Sequence, residues 1–161
     1  MRFLKVFYVL IIMSSSAYSW AQVNYQISIT EPAHHLAQVR AEFQVTEAKP
    51  LTLMLPAWRS GKYQILDLAN GVRLFQARDQ KGQLLAVRKT EKSSWELTVP
   101  VAGEIQISYQ IYANQLADRS RHIDETHAYI NPSAYLMFSD ESRHQPPAVS
   151  TASSATTLAP T

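Results

Sequence analysis

The chain has 161 residues, with 15 basic and 13 acidic side chains, five histidines and no cysteine. The lack of cysteine excludes disulfides, thiolate metal ligands and a cysteine nucleophile. Two of the basic residues lie within the first 21 positions, so the remaining chain has a formal charge of 13 minus 13, or zero. Its arginines are scattered among acidic residues, a distribution that argues against nucleic-acid binding.

The first 21 residues have the pattern of a cleaved secretory signal. Arg2 and Lys5 precede the apolar run "VFYVLIIM", and the small residues Ser19 and Ala21 have the spacing of a cleavage site. The apolar run is much shorter than the roughly 20 residues that a membrane-spanning helix needs. We therefore predict cleavage after Ala21, export to the periplasm or the cell exterior, and no membrane span in the mature protein.

The next segments alternate between apolar and polar residues, the pattern of strands with one buried face. The clearest examples are "QVRAEFQV", "SWELTV" and "EIQISYQIY", and glycines lie at or beside the turns between such runs. The residues predicted to point inward are Val39, Ala41, Phe43, Val45, Trp95, Leu97, Val99, Ile105, Ile107, Tyr109 and Ile111. This pattern predicts an all-β fold, an antiparallel β-sandwich, with one short helical turn in "YQILDLAN", where Ile65, Leu66, Leu68 and Ala69 have helical spacing.

The last 23 residues differ in composition from the rest. After Gln145 they are almost entirely serine, threonine, alanine and proline. Such a segment has too few large apolar groups to offset the entropy lost on ordering. We predict a folded domain over residues 22–138 and a disordered tail over 139–161.

Two groups of histidines are candidate metal ligands. His34 and His35 follow Pro32, and we predict an exposed loop pair there. In "RHIDETH", His122 and His127 are five residues apart, which places them about 140° apart on a helix and on opposite faces of a strand. They can converge on one ion only if a turn intervenes, so we predict no metal site. His122 and Asp124 can share a strand face, where a structural hydrogen bond between them is expected.

No self-sufficient catalytic set is present. The sequence has no G-x-S-x-G nucleophile motif, and its neighbouring carboxylates lie in polar surroundings that do not favour a raised pKa. The aromatic residues Trp58 and Tyr63 flank the turn at Gly61, and Tyr129 follows "RHIDETH". They serve either core packing and loop anchoring or a contact surface for another domain or a ligand.

Two separated segments carry a family resemblance. "LPAWRSGKYQILDLANGV" and "SYQIYANQLADRSRHIDETHAYINPSAYLMF" resemble the N-terminal domain of the glycyl aminopeptidase type of metallopeptidase, family sixty-one in the peptidase classification. The family patterns are close to L-P-x-W-x-P-G-S-Y and Y-A-N-E-L-x-V-R-x-x-H-L-D-x-x-H-x-Y-x-N-G. The matching residues are Leu55, Pro56, Trp58, Gly61, Tyr63, Tyr112, Ala113, Asn114, Leu116, Arg119, His122, Asp124, His127, Tyr129 and Asn131. The departures are Arg59, Ser60, Lys62, Gln115, Asp118 and Pro132.

The resemblance implies a three-part protein, in which this domain precedes a zinc-binding H-E-x-x-H domain and a PDZ module. The sequence contains no H-E-x-x-H, so we predict a truncated, non-catalytic family member without a cofactor. Its expected role is to pack on a metallopeptidase catalytic domain and shape the substrate cleft. A free-standing periplasmic module that binds a peptide or glycan is the alternative. The residues expected at the interface or cleft are Trp58, Gly61, Tyr63, Asn114, Arg119, His122, Asp124, His127 and Tyr129.

Overall fold

The computed structural model describes residues 23–58, 65–115 and 121–153. This part of the chain contains ten strands and three short 3₁₀ turns. The strands are β1 (Asn24–Glu31), β2 (Leu36–Val45), β3 (Leu51–Met54), β4 (Val72–Asp79), β5 (Val87–Glu91), β6 (Ser94–Leu97), β7 (Gly103–Tyr112), β8 (His122–Ile123), β9 (Ala128–Tyr129) and β10 (Ala148–Ser153). The 3₁₀ turns are Pro32–His34, Leu68–Gly71 and Pro132–Ala134.

The strands form two main sheets and a small hairpin. The larger sheet has the order β10-β1-β2-β7-β4, the smaller has the order β3-β6-β5, and β8 pairs with β9. All of these pairs are antiparallel except that of β10 with β1. The prediction of an all-β fold is confirmed. None of the helical segments in the described ranges has the length and apolar content needed to cross a bilayer.

The alternation of apolar and polar residues correctly predicts which side chains of β2 and β7 are buried. In β2 and β7 every second residue is buried, and the register sets Val39 opposite Tyr109 and Ala41 opposite Ile107. The ring of Phe75 on β4 stacks 5.7 Å from that of Trp95 on β6 and 6.0 Å from that of Tyr109. Side chains of both sheets therefore share one hydrophobic core, as in a sandwich.

A short segment, residues 135–138, closes this core, and we call it the 135–138 strap. The Tyr25 hydroxyl donates to the Met137 carbonyl at 2.5 Å. The Tyr109 hydroxyl donates to the Tyr135 carbonyl at 2.6 Å and accepts from the Met137 amide at 3.2 Å. Met54 and Phe138 exchange two backbone hydrogen bonds. Both sheets thus bind the strap, through tyrosines of the larger sheet and the backbone of the smaller one.

Two predicted segments differ in detail from the structure. The predicted helical turn is a 3₁₀ turn at Leu68–Gly71, with Leu68 and Ala69 buried but Ile65 exposed. Residues 139–153 are ordered in the structure, whereas the composition predicts a disordered tail from 139. Ala148–Ser153 forms β10, which pairs with β1 through the backbone while nearly all its side chains remain exposed. The predicted signal segment lies outside the described residues.

Candidate functional site

The hairpin of residues 121–129 is built around one aspartate. Asp124 Oδ1 accepts hydrogen bonds from the amides of Thr126 and His127, at 2.7 and 2.8 Å, and from the Thr126 hydroxyl at 2.7 Å. An aspartate that binds the amides two and three residues ahead is a common turn former. The backbone then reverses, so that His122 lies opposite Tyr129 in the β8–β9 pair.

This turn brings His122, Asp124 and His127 together, and we call these three residues the His–Asp–His cluster. His122 Nε2 lies 3.1 Å from Asp124 Oδ2, and His127 Nδ1 lies 3.2 Å from Asp124 Oδ1. The two imidazole rings are 5.2 Å apart at their centroids. The predicted contact between His122 and Asp124 is therefore present. The expectation that the two histidines converge only through an intervening turn is met, because the chain turns at Asp124.

Hydrogen bonding keeps the Asp124 carboxylate ionised. The Thr126 hydroxyl makes the largest contribution, followed by the His127 amide and the His122 ring, and together they hold the pKa of Asp124 well below its usual value. Donors that bind only the charged form of a carboxyl favour that form. Asp124 therefore carries a negative charge between the two imidazoles at neutral pH.

The histidine pair at 34 and 35 divides into two environments. His34 is exposed as predicted and lies 3.1 Å from Glu31. His35 is only partly exposed and has a left-handed backbone with φ of 59°. Its Nδ1 contacts the Ile123 carbonyl, and its ring lies 5.8 Å from that of His122. The prediction of an exposed pair is wrong for His35, because the turn after β1 directs its ring toward the 121–129 hairpin.

A buried arginine fixes the base of the hairpin. Arg121 donates to the carbonyls of Tyr112, Ala134 and Leu68 at 3.0, 2.7 and 2.6 Å. These carbonyls belong to the end of β7 and to two 3₁₀ turns, so one guanidinium joins three parts of the chain. The five donors of the planar guanidinium suit this arrangement. Gly71 lies against the same group, and a Cβ there would come within 2.0 Å of Arg121 Nη2.

The other predicted site residues are not all part of this cluster. Asn114 pairs with His122 through the backbone, and its amide donates to the Tyr112 hydroxyl at 3.2 Å. Tyr129 is exposed beside the cluster. Trp58 is exposed at the end of the segment after β3. Gly61, Tyr63 and Arg119 lie outside the described residues.

Two residues of this region, Thr126 and Arg121, escaped the sequence-based prediction, and the position of a third, His35, was predicted wrongly. Thr126 completes the Asp124 turn, and the D-x-T-H order of donors after an aspartate is the signal that points to it. Arg121 has no such signal, because a buried arginine and an exposed one look alike in sequence. His35 reaches the hairpin across 88 positions of chain, a separation that local patterns do not report.

Comparison with known proteins identifies the domain. The profile described as the Peptidase M61 N-terminal domain matches residues 24–158. The chain is similar to an aminopeptidase N family protein from Idiomarina loihiensis, with a TM-score of 0.76 and 23% identity over 82% of this chain. It spans 22% of that protein's length. An M1 zinc metallopeptidase from Deinococcus radiodurans matches over 72% of this chain and 28% of its own, with 16% identity and a TM-score of 0.38. No curated protein matches significantly.

The zinc that the family resemblance implies is bound by H-E-x-x-H, and these 161 residues contain no such motif. The residues present therefore do not include the ligand motif that the resemblance implies for the catalytic zinc. The match over residues 24–158 places most of the chain in one domain type. The chain belongs to the family of the Peptidase M61 N-terminal domain.

Proposed function

We propose that this chain is a non-catalytic, exported accessory domain that packs on a metallopeptidase catalytic domain and helps to shape its substrate cleft. The family membership of residues 24–158 supports a role beside such a domain. The pattern of the first 21 residues supports export. The similarity to a segment covering 22% of a longer aminopeptidase N family protein is consistent with a part that works within a larger assembly.

The observation that carries the proposal is the exposure of Trp58, a residue of the first family motif. In the described part of the chain, Trp58 leaves 56% of its surface in solvent. The preceding Leu55 is buried. Pro56 lines a groove of about 410 Å³ together with Leu136 and Met137. Large aromatic side chains are enriched where proteins contact one another. The exposure of Trp58 therefore supports a contact with a partner.

The 121–129 hairpin offers a second, preformed part of the contact surface. Tyr129 is 46% exposed, and the backbone beneath it is fixed by the Arg121 and Asp124 hydrogen bonds. A surface that is already ordered loses less conformational entropy when it binds. The ordered hairpin should therefore pack on a catalytic domain more stably than a flexible loop would.

Association with a catalytic domain tests this proposal. We expect the chain to bind a separately produced catalytic domain of its own family in isothermal titration calorimetry. Alanine at Trp58 should weaken the affinity by about tenfold or more, as for an aromatic residue central to an interface. Alanine at Val101, which is also exposed, is the control and should leave the affinity unchanged.

Two outcomes would contradict the proposal. One is no measurable association between the two folded proteins. The other is equal affinity for the Trp58→Ala and Val101→Ala variants. Retention of a peptide or glycan by the chain alone, lost in Trp58→Ala, would instead favour the free-standing binding module.

A further inference from the structure

The 121–129 hairpin has a set of side chains whose chemistry exceeds what packing requires. We propose that His122, Asp124 and His127 bind one divalent transition-metal ion, with Zn²⁺ as the representative ion. The three residues each offer one ligand atom, and these atoms all lie within 4.8 Å of one another. Among the described residues, these three form the one group of three or more histidine and acidic side chains with this geometry.

The three ligand atoms, all within 4.8 Å of one another, are close to the spacing of ligands around one ion. Zinc bonds to nitrogen and oxygen are about 2.0–2.2 Å long, and in tetrahedral coordination neighbouring ligand atoms are then roughly 3.3 Å apart. Asp124 Oδ2 lies 3.1 Å from His122 Nε2, and the other oxygen, Oδ1, lies 3.2 Å from His127 Nδ1. The turn already brings the three residues together, so binding one ion requires their ligand atoms to converge by rotation of the side chains.

The ligand types select the class of ion. Two imidazoles and one carboxylate suit zinc, copper, nickel and iron rather than calcium or magnesium, which prefer oxygen ligands. The chain has no cysteine, so a competing thiolate site cannot form on it. The cluster is thus a nitrogen and oxygen site for a first-row transition ion.

Burial or hydrogen bonds hold all three ligands, including His127, whose Nδ1 lies 2.9 Å from the Thr126 hydroxyl. His122 is 5% exposed, and Asp124 is fixed by the Thr126 and His127 donors. The side chain of His127 is 53% exposed, so an ion can enter from solvent and keep water in its remaining positions. Ligands held by a second layer of hydrogen bonds bind a metal with less loss of freedom.

One atom limits the affinity. When His122 Nε2 binds an ion, the ring proton must be on Nδ1, and this buried atom has no hydrogen-bond partner in the described part of the chain. Loss of such an outer partner typically weakens metal binding by about 10- to 100-fold. We therefore expect weaker binding than at a fully supported structural zinc site, and reversible removal of the ion by a chelator.

Titration of the tag-free chain with Zn²⁺ tests the site. We expect one equivalent to bind, and the affinity to fall by about tenfold or more in His127→Ala, because one of three ligands is lost. His34→Ala is the matched control, since His34 is an exposed histidine beside Glu31 and should not change the affinity. No saturable binding by the unaltered chain, or equal affinity in the two variants, would overturn the proposal.

A second measurement on the unaltered chain does not depend on a variant's folding. In nitrogen-15 spectra of the histidine rings, Zn²⁺ should shift the signals of His122 and His127 and leave those of His34 and His144 in place. Shifts confined to His34 and His144 would show surface binding and overturn the site. Neither experiment includes a catalytic domain, so their results are separate from those of the association test.

Discussion

Replacing Arg121 by methionine should lower the free energy of unfolding by about 3–5 kcal/mol. Arg121 is buried and donates to three carbonyls that belong to separate parts of the chain. Methionine fills a similar volume but has no hydrogen-bond donor. The three carbonyls that accept from Arg121 would then lose this partner. Each buried acceptor left without a partner costs about 1–3 kcal/mol.

Urea unfolding of the two proteins measures this difference. The control is Arg88→Met, which removes an ion pair to Glu96 from a side chain that is 73% exposed. Exposed pairs of this kind contribute about 0–1 kcal/mol. Equal effects of Arg121→Met and Arg88→Met would show that the three carbonyls do not depend on the guanidinium.

The substitution Gly71→Ala should disturb the same hydrogen bonds of Arg121 by crowding its guanidinium. The added Cβ would lie 2.0 Å from Arg121 Nη2 and 2.9 Å from the Tyr112 carbonyl oxygen. The guanidinium must move to relieve the overlap, and it then loses part of its hydrogen bonding. We expect this variant to be destabilised as well, by less than Arg121→Met because the charged donor remains. An unchanged free energy of unfolding would contradict this placement of Gly71.

The second large effect is a loss of stability in alkaline solution. Burial raises the pKa of Tyr135 to about 12, and it raises the pKa of Tyr25 and Tyr109 still further above the ordinary value. Unfolded tyrosines release their protons near pH 10. Above that pH the folded state binds more protons than the unfolded state, so the stability falls as the pH rises.

The slope reports how many tyrosines take part. Each contributes at most about 1.4 kcal/mol per pH unit, so the three together give roughly 4 kcal/mol per unit between pH 10 and their raised values. Urea unfolding at several pH values from 8 to 11.5 measures this slope. Tyr25→Phe should reduce the slope by about a third, although it also removes the hydrogen bond to Met137 at every pH. A free energy of unfolding that stays constant across pH 10 would contradict the burial of these three hydroxyls.

The large strands could be predicted because their side chains alternate. Ile105, Ile107 and Tyr109 are buried on one face of β7 because a strand turns successive side chains to opposite faces. β10 has no such signal. Its backbone extends the sheet beside β1, while Val149 and its neighbours remain exposed. A strand that is stabilised mainly by backbone pairing leaves no trace in the apolar pattern of a sequence.

The candidate site was only partly predictable for a related reason. Counting residues between His122 and His127 assumes one regular element, and the chain instead reverses at Asp124. The reversal depends on oxygen contacts with Thr126 and His127, which are short-range and recognisable once the turn is considered. The contact of His35 with Ile123 depends on the packing of β2 beside β7, and only the folded chain shows it.

We propose that this chain packs on a metallopeptidase catalytic domain and helps to shape its substrate cleft. The direct measurement is hydrolysis of aminoacyl substrates by a family catalytic domain that lacks its own N-terminal domain, with and without this chain. We predict a saturable rise in kcat/KM of about tenfold or more, equivalent to at least 1.4 kcal/mol of transition-state stabilisation. An unchanged kcat/KM, with the catalytic domain shown to be folded and zinc-loaded, would contradict the account.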